Sequence, residues 1–237
     1  MIETDERELL EIAQEAAEAA IRKVLADRRP GDAILGEEGG ASGDGELRWV
    51  IDPLDGTINF LFGIPAFAVS VACEDANGTL AGIVLDPIRQ ECFGATRSGP
   101  PRLNGEQIAP SGRDDMSTAM VATGFSYDSE VRARQGAVVA RVLPRVRDIR
   151  RVGAAALDLS WCACGRFDAY YERGLHPWDL AAGGLVAREA GARVEGLHGE
   201  PASEALVLAA GPGVFDAVHD LLAPLRPDLG PPDDGSG

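Results

Sequence analysis

One segment limits how this 237-residue chain can fold more than any other, and it reads Trp49-Val50-Ile51-Asp52-Pro53-Leu54-Asp55-Gly56-Thr57. It begins with three apolar residues typical of a buried strand and continues with two carboxylates three positions apart, with a proline between them. Gly56 and Thr57 favour a turn and the start of a helix. A strand end that presents two acids and then free backbone N–H groups suits a cation beside a phosphate. An ordinary Asx-rich turn before a helix would explain the same residues.

Composition narrows the classes of partner. The chain is 45% hydrophobic and 25% charged, as expected of a soluble globular protein, and its net charge is −16. This charge argues against nucleic acid and against an anionic membrane as partners. No apolar run is long enough to span a bilayer, and residues 1–20 are too acidic for a secretory signal, so we expect a cytoplasmic protein. An acidic protein that handles a phosphate must neutralise charge locally, which divalent cations on clustered carboxylates do.

Hydrophobic periodicity predicts an α/β (α+β) chain in two halves, followed by a tail. Residues 1–112 form an N-terminal α+β half, in which a long helix precedes mostly paired strands. Residues 113–226 form a C-terminal α/β half, in which strands and helices alternate. Residues 227–237 contain Pro, Gly and Asp with little apolar content, so we expect a disordered tail. The predicted elements are helix 5–27, strand 33–35, a loop at 39–46, strands 49–51, 66–73, 79–86 and 91–96, strand 118–123, helix 129–143, strand 147–150, helix 154–164, strand 167–171, helix 178–190, strands 192–195 and 205–209, and helix 212–223.

Three acidic clusters lie where these elements end or begin. They are Glu37-Glu38 after one strand, Asp52 with Asp55 after another, and Asp179 at the opening of a helix. Mg²⁺ is usually held by a few carboxylates together with water and substrate phosphate, and two such ions can act on one phosphate ester. If the clusters converge, they form a site of this kind. Asp179 taken alone is also explained as a helix cap.

Four segments follow one another along the chain: Gly36-Glu37-Glu38, Trp49–Thr57, Trp178-Asp179 and Glu189-Ala190-Gly191. Together they resemble the inositol monophosphatase family, whose members are Mg²⁺-dependent, lithium-sensitive phosphatases, and the resemblance runs from about residue 19 to about residue 223. It implies a layered α/β/α/β/α sandwich of the sugar-phosphatase type and a homodimer. It also implies hydrolysis of inositol monophosphate, a small-molecule phosphate ester, by direct attack of water activated by Mg²⁺.

The resemblance assigns roles to residues of this chain. The implied metal ligands are Glu37, Asp52, Asp55, Asp179 and the backbone carbonyl of Leu54. The N–H groups of Gly56 and Thr57 correspond to the phosphate-binding groups. The implied catalytic residues are Thr57, whose hydroxyl orients the attacking water, and Glu37. The implied substrate contacts are Glu172, Ala155 and Asp179.

The chain departs from the family's pattern in the helix before Gly36. Family members carry T-x-x-D there, and its Asp helps a threonine deprotonate the water; an ungapped alignment puts Glu11 and Gln14 at the Thr and Asp positions. An amide cannot accept that proton. We therefore expect either a metal site with slowed turnover or a substitute carboxylate, for which Glu11 and Glu18 lie on the same helical face as Gln14. A solvated helix face is the ordinary explanation for these glutamates.

The sequence does not single out one substrate, because several phosphate esters could be hydrolysed by the same chemistry. Besides inositol monophosphate they are fructose bisphosphate, histidinol phosphate and a 3′-phosphonucleotide. The carboxylate of Glu172 favours a polyol, since it accepts hydrogen bonds from hydroxyl groups and would repel a second phosphate. The alternative from another class is a metal-binding homologue whose catalysis is impaired by Gln14.

Overall fold

The computed structural model describes residues 6–229, with side chains from Gln14 onward. This part of the chain forms six α-helices and thirteen strands. The helices are α1 (Glu6–Arg28), α2 (Thr57–Leu61), α3 (Ser129–Val142), α4 (Ala155–Ala163), α5 (Pro177–Ala190) and α6 (Phe215–Leu222). The strands are β1 (Ala33–Gly36), β2 (Gly40–Ser42), β3 (Arg48–Asp55), β4 (Ala68–Asp75), β5 (Gly78–Asp86), β6 (Glu91–Thr96), β7 (Arg102–Leu103), β8 (Glu106–Gln107), β9 (Met120–Thr123), β10 (Asp148–Arg150), β11 (Ala169–Glu172), β12 (Arg193–Glu195) and β13 (Val207–Ala210).

Two sheets organise these strands. The first has the order β2-β1-β3-β4-β5-β6-β7-β8, in which β1 and β3 run parallel and the other neighbours run antiparallel. The second has the order β10-β9-β11-β13-β12, in which β9 runs parallel to both of its neighbours. Parallel neighbours need a crossover connection, and α3 and α4 supply it between β9, β10 and β11.

Helices α4 and α5 lie between the two sheets. Strand β5 packs against α5, and the contact is closest at Gly82. A Cβ atom on Gly82 would lie 2.9 Å from the Cα of Ala182. Helix α1 packs over β3 on the outer face of the first sheet, and α3 and α6 cover the outer face of the second. This order of layers confirms the predicted α/β/α/β/α sandwich.

The sequence explains why α4 and α5 occupy the middle layer. Both are apolar on nearly all sides, which suits a helix that is covered all round, whereas α6 buries a single stripe of Phe215, Val218 and Leu222. Small residues let the two middle helices approach: a Cβ on Gly183 would lie 2.9 Å from the Cβ of Leu159. Within residues 6–229, no helix is both long enough and apolar enough to cross a membrane.

The structure differs from the sequence-based expectation in short elements and helix ends. Residues 39–46, predicted as a loop, contain β2, which pairs antiparallel with β1. The chain reverses tightly between them, and Gly40 takes a φ of +61°, which a residue with a side chain disfavours. Helix α6 begins at Phe215 rather than at residue 212. Of the predicted tail, residues 230–237 lie outside the described residues.

Helix α1 covers only part of the outer face of the first sheet. Ile51 on β3 is fully buried, but Ile83 on β5 is 48% exposed. Trp49, Val71 and Ile83 line an apolar groove of about 680 Å³ on this face. Helix α1 therefore leaves part of this apolar face exposed.

Candidate active site

Three aspartates from separate elements meet at one end of the first sheet. One carboxylate oxygen from each of Asp52, Asp55 and Asp179 lies within 4.8 Å of the other two. Asp52 and Asp55 belong to the end of β3 and are buried, and Asp179 lies half-buried in the first turn of α5. Segments that are distant in the sequence therefore form one group, which we call the aspartate cluster.

An irregularity in β3 brings Asp52 and Asp55 to the same side. Residues three apart in a regular strand point to opposite faces of the sheet. The pairing of β3 with β4 shifts register between Asp52 and Asp55, as at a β-bulge, and this shift removes the alternation. The Leu54 N–H donates to Asp52 Oδ1 at 2.9 Å, so the Asx turn that the sequence allowed is present and helps to orient the acid.

Asp55 also fixes the start of α4. Its two carboxylate oxygens accept hydrogen bonds from the N–H groups of Ala155 at 3.2 Å and Ala156 at 2.8 Å. The first N–H groups of a helix have no partner within the helix, and a carboxylate there also interacts favourably with the helix dipole. The bonds join the end of β3 to a helix from the second half of the chain.

The third aspartate of the cluster, Asp179, and the nearby Glu37 are also held by hydrogen bonds. Asp179 Oδ2 accepts a hydrogen bond from the His176 N–H at 2.7 Å, so His176 is the N-cap of α5 and Asp179 is the third residue of a capping box, not the N-cap that the sequence allowed. Glu37 follows β1, where its N–H donates to the Ile51 carbonyl at 3.1 Å, and its side chain is hydrogen-bonded to Asp52.

Burial and mutual repulsion raise the pKa values of the cluster. Burial, followed by the charges of Asp55 and Glu37, raises the pKa of Asp52 well above its usual range. Burial and the charge of Asp179 raise the pKa of Asp55 to about 8, and burial raises the pKa of Asp179 to about 6. Among the described side chains, no Lys or Arg forms an ion pair with these three aspartates. When these carboxyl groups ionise, no ion pair with a described basic side chain offsets their charge.

The cluster opens into a cavity of about 300 Å³. Its walls include every site residue predicted from the sequence: Glu37, Asp52, Leu54, Asp55, Gly56, Thr57, Ala155, Glu172 and Asp179. Larger and more apolar cavities occur elsewhere in the described part of the chain, but the aspartates line this one. The fold thus brings the predicted residues together in one place that a small molecule can enter.

Gln14 lies next to Thr57, as the ungapped alignment predicts. Its Nε2 atom donates to the Thr57 hydroxyl oxygen at 3.4 Å, and the Thr57 hydroxyl donates to the Leu54 carbonyl oxygen at 3.0 Å. Gln14 is buried. Because its amide nitrogen faces Thr57 as a donor, this side chain steadies the hydroxyl and offers no acceptor for its proton.

Glu18 corrects one expectation. It does not lie on a solvated helix face: its side chain is 2% exposed and pairs with Arg22 at 2.6 Å. A carboxylate engaged in this way is unavailable as a substitute base for Gln14. The side chain of Glu11, the other substitute considered, lies outside the described side chains.

Glu172 and Ala155 also line the cavity. The Tyr170 hydroxyl donates to Glu172 Oε2 at 2.6 Å. Burial raises the pKa of Glu172 to about 7, against the opposing effects of the Tyr170 hydrogen bond and the charge of Arg151. A Cβ atom on Gly124 would lie 1.9 Å from the Glu172 carboxylate, so a glycine on the neighbouring strand end makes room for the acid.

Arg151 and Tyr127 also line the cavity and were not predicted. The Arg151 guanidinium lies against Gly153, where a Cβ atom would be 1.9 Å from its Nη1, and Gly153 has a φ of +86°. Gly153 is thus required for its conformation and for the space that the arginine occupies. The available signal was a basic residue two positions before the Gly153-Ala154-Ala155 segment, but only the fold shows that it faces the carboxylates.

Known proteins resemble this chain over most of its length. A sequence model of the inositol monophosphatase family matches residues 2–229. The inositol-1-monophosphatase SuhB of Mycobacterium tuberculosis (strain H37Rv) is 44% identical over 222 residues, which cover 88% of this chain and 75% of that protein. The Nus factor SuhB of Pseudomonas aeruginosa is 40% identical over 238 residues, which cover 97% of this chain and 87% of that protein. The solved structure of Mycobacterium tuberculosis SuhB matches with a TM-score of 0.82 at 41% identity, covering 92% of this chain and 86% of that one.

Proposed function

The chain belongs to the inositol monophosphatase family, and from this premise we propose that it is a Mg²⁺-dependent phosphomonoesterase that hydrolyses inositol monophosphate. Membership of the family supports a phosphatase activity. The dependence on Mg²⁺ and the identity of the substrate are what we propose in addition. The observation that carries it is the aspartate cluster, whose oxygens lie within 4.8 Å of one another in a cavity that Gly56 and Thr57 also line. A cation site beside backbone N–H groups suits a phosphate ester.

The residues of the cluster fit Mg²⁺. They offer carboxylate oxygens, and the neighbouring Leu54 offers a carbonyl oxygen; hard divalent cations prefer both kinds of donor. Burial and the neighbouring acids raise the pKa values of Asp52 and Asp55 because they destabilise the ionised carboxylates, and a divalent cation would stabilise that ionised form. The proposed ligands are Glu37, Asp52, Asp55, Asp179 and the carbonyl oxygen of Leu54. When bound, the cations would polarise the ester and lower the pKa of a water molecule.

The chain's own groups would position the reactants. The N–H groups of Gly56 and Thr57 lie at the start of α2, where helical N–H groups lack internal partners, and would donate to phosphate oxygens. The Thr57 oxygen accepts from Gln14 with one lone pair, which leaves the other to orient a water molecule. Since phosphoryl transfer depends mainly on positioning and charge neutralisation, the reaction needs no covalent intermediate with the protein.

Glu172 and Ala155 would bind the alcohol part of the ester. The Tyr170 hydroxyl fixes the Glu172 carboxyl group, which accepts hydrogen bonds from substrate hydroxyls when ionised. The Ala155 N–H is engaged by Asp55, so Ala155 contributes a small side chain that leaves room for a ring. These features favour a polyol such as inositol as the leaving group.

Phosphate release from inositol 1-phosphate tests the proposal. We expect turnover that requires Mg²⁺, stops when EDTA is added and falls with Li⁺. Asp52→Asn should lower the rate at least 100-fold, because it removes a charged ligand, whereas Asp114→Asn, at an exposed acid outside the cavity, should leave it unchanged. Equal rates with and without Mg²⁺, or full activity of Asp52→Asn, would contradict the proposal.

The contact of Gln14 with Thr57 favours a second candidate, a metal-binding homologue with little or no turnover. The relative that is 40% identical is named as a Nus factor rather than as a phosphatase, which makes a binding role worth testing here. Calorimetric titration with Mg²⁺ together with a panel of esters separates the two candidates. Mg²⁺ binding without release of phosphate from inositol 1-phosphate, fructose 1,6-bisphosphate or histidinol phosphate would favour the second.

Arg151 favours one of the alternative esters, a polyol that carries a second phosphate. Its guanidinium lines the cavity near Glu172 and offsets the repulsion that this carboxylate would exert on a second anion. We expect Arg151→Gln to lower kcat/KM for fructose 1,6-bisphosphate about 10-fold more than for inositol 1-phosphate. Arg150→Gln is the matched control, because Arg150 pairs with Asp148 at 2.6 Å and does not line the cavity. Equal losses on both esters would exclude this preference.

A further inference from the structure

A carboxylate outside the cavity contacts the loop that carries Glu37. It belongs to Glu18 in the middle of α1, whose side chain is 2% exposed. Glu18 Oε2 accepts a hydrogen bond from the Glu38 N–H at 2.9 Å, and Oε1 accepts one from the Gly39 N–H at 3.1 Å. The two donors are the peptide groups that directly follow Glu37 between β1 and β2.

Arg22 donates hydrogen bonds to acceptor groups of the residues that follow the same loop. Its Nε atom donates to Glu18 Oε1 at 2.6 Å, its Nη2 donates to the Gly40 carbonyl at 2.6 Å, and its Nη1 donates to the Ser42 hydroxyl at 2.9 Å. One ion pair on α1 therefore satisfies both donors and acceptors of residues 38–42. We call Glu18, Arg22 and these contacts the Glu18 clamp.

The same carboxylate lies against two glycines, Gly36 at the end of β1 and Gly39 in the loop. A Cβ atom on Gly36 would lie 1.9 Å from Glu18 Oε1, and one on Gly39 would lie 2.7 Å from it. Neither glycine has a positive φ, so a side chain at either position is opposed by the Glu18 carboxylate, which would have to move away from the loop, and not by the backbone conformation. The glycine of the Gly36-Glu37-Glu38 motif and Glu18 are therefore parts of one packing arrangement.

We propose that Glu18 is a positioning residue that fixes the backbone after Glu37 so that the Glu37 carboxylate reaches the aspartate cluster and binds a divalent cation there. The inference rests on the metal site of the proposed function. On the other side of the residue, the Glu37 N–H is already held by the Ile51 carbonyl at 3.1 Å. With the backbone fixed on both sides, only the side-chain torsions of Glu37 remain to be ordered on binding. Contacts that orient a metal ligand in this way commonly change metal affinity 10- to 100-fold.

The charge of Glu18 is essential to this role. Hydrogen bonds to an ionised acceptor are about twice as strong as neutral ones. Glu18→Gln preserves the size of the side chain but places an NH₂ group against an N–H of the loop or against Arg22, so that two donors face each other. The variant therefore weakens the clamp while leaving the packing of α1 on β3 largely in place.

Two measurements on the metal-free protein test the proposal without any reaction. We expect the amides of Glu38 and Gly39 to exchange hydrogen at least 10-fold faster in Glu18→Gln, with unchanged exchange in β9. We expect calorimetric titration with Mg²⁺ to give a Kd about 10-fold weaker. Glu15→Gln is the matched control: Glu15 lies on the same helix but is exposed, and its replacement should change neither quantity.

Turnover supplies a third readout that a purely structural role would not produce. In Glu18→Gln the Mg²⁺ concentration for half-maximal rate should rise about 10-fold, while kcat at saturating Mg²⁺ and KM for inositol 1-phosphate stay near the original values. Arg22→Gln should shift the same quantities in the same direction by a smaller factor, and it tests the clamp should Glu18→Gln fail to fold.

The outcomes separate this inference from the proposed function. A Mg²⁺ Kd within twofold of the original in a folded Glu18→Gln protein would overturn it, whatever the hydrogen exchange shows. A weaker Kd in a protein whose original form hydrolyses no ester would support the role of Glu18 and reject the phosphatase proposal.

Discussion

Among single residues, Gln14 has the most direct bearing on turnover. In the family's pattern an Asp at this position helps the threonine take a proton from water, whereas here an amide nitrogen donates to Thr57 at 3.4 Å. The Thr57 hydroxyl in turn donates to Leu54, so the chain of hydrogen bonds ends at a carbonyl group that cannot be protonated at neutral pH. Glu18, the described carboxylate on the same helical face as Gln14, is engaged by Arg22 and the loop.

Replacing Gln14 by Asp should therefore raise turnover. General-base assistance is worth about 100- to 10,000-fold, and a carboxylate beside Thr57 restores part of it, so we expect kcat for inositol 1-phosphate to rise at least 10-fold in Gln14→Asp. Gln14→Asn, whose side chain has the size of Asp but keeps an amide group, should not raise kcat. Steady-state kinetics at saturating Mg²⁺ measures both, and an unchanged kcat in folded Gln14→Asp would show that the missing acid does not limit the rate.

Among the elements, the junction of β3 and α2 decides where the proposed phosphate-binding groups lie. Gly56 precedes α2 with a φ of +90°, which allows the chain to turn from the strand into the helix without an intervening loop. The position is also crowded: a Cβ atom there would lie 3.0 Å from the Ala66 carbonyl and 3.2 Å from the Ala154 side chain. Both the conformation and the space therefore require glycine.

Gly56→Ala should consequently damage stability and activity together. We expect a loss of about 1–3 kcal/mol in the free energy of unfolding, and a fall in kcat/KM because the N–H groups of Gly56 and Thr57 move. Gly63→Ala is a matched control, since Gly63 also has a positive φ (+66°) but has nothing within 4 Å of its Cβ position. It should cost about 1 kcal/mol through strain alone and leave kcat/KM unchanged. Urea denaturation and steady-state kinetics distinguish the two; equal effects of both variants would refute the crowding argument.

For the whole molecule, the uncompensated acids couple stability to pH and to metal. The pKa of Asp55 is raised to about 8, that of Glu172 to about 7 and that of Asp179 to about 6, all chiefly by burial. In the unfolded chain these carboxyl groups titrate near pH 4. Between about pH 4 and pH 8 the folded protein therefore binds more protons than the unfolded one, and its stability falls as the pH rises.

Mg²⁺ should reverse this trend. Without metal, we expect the Tm in EDTA to fall as the pH is raised from 5 to 8, because ionisation leaves buried charges unpaired. With Mg²⁺ the cations replace the protons, so the increase in Tm caused by Mg²⁺ should be small at pH 5 and largest at pH 8. Asp55→Asn should flatten the pH dependence in EDTA. Scanning calorimetry measures these shifts, and a Mg²⁺ effect that does not grow with pH would contradict the proposed ligand set.

Much of the secondary structure could be predicted because it depends on local patterns. The long helix α1, the paired strands β4 and β5, and the alternating elements of the second half follow from periodicity and turn residues within a few positions. The strand β2 could not be predicted in the same way, since Gly40–Ser42 carries no apolar pattern and owes its conformation to pairing with β1. The predicted division at residues 112 and 113, and the homodimer, stay predictions.

The sequence by itself determined which residue types are available, acids after two strands and one at a helix start, and their order identified the family. Only the tertiary structure decided that these acids meet in one cavity, that burial shifts their pKa values, and that Gln14 lies against Thr57. The same holds for Glu18, which a helical pattern assigns to solvent but which the loop after β1 buries. Solvation and Coulomb interactions depend on distances between segments that are far apart in the chain, and such distances exist only once the sheets and helices have packed.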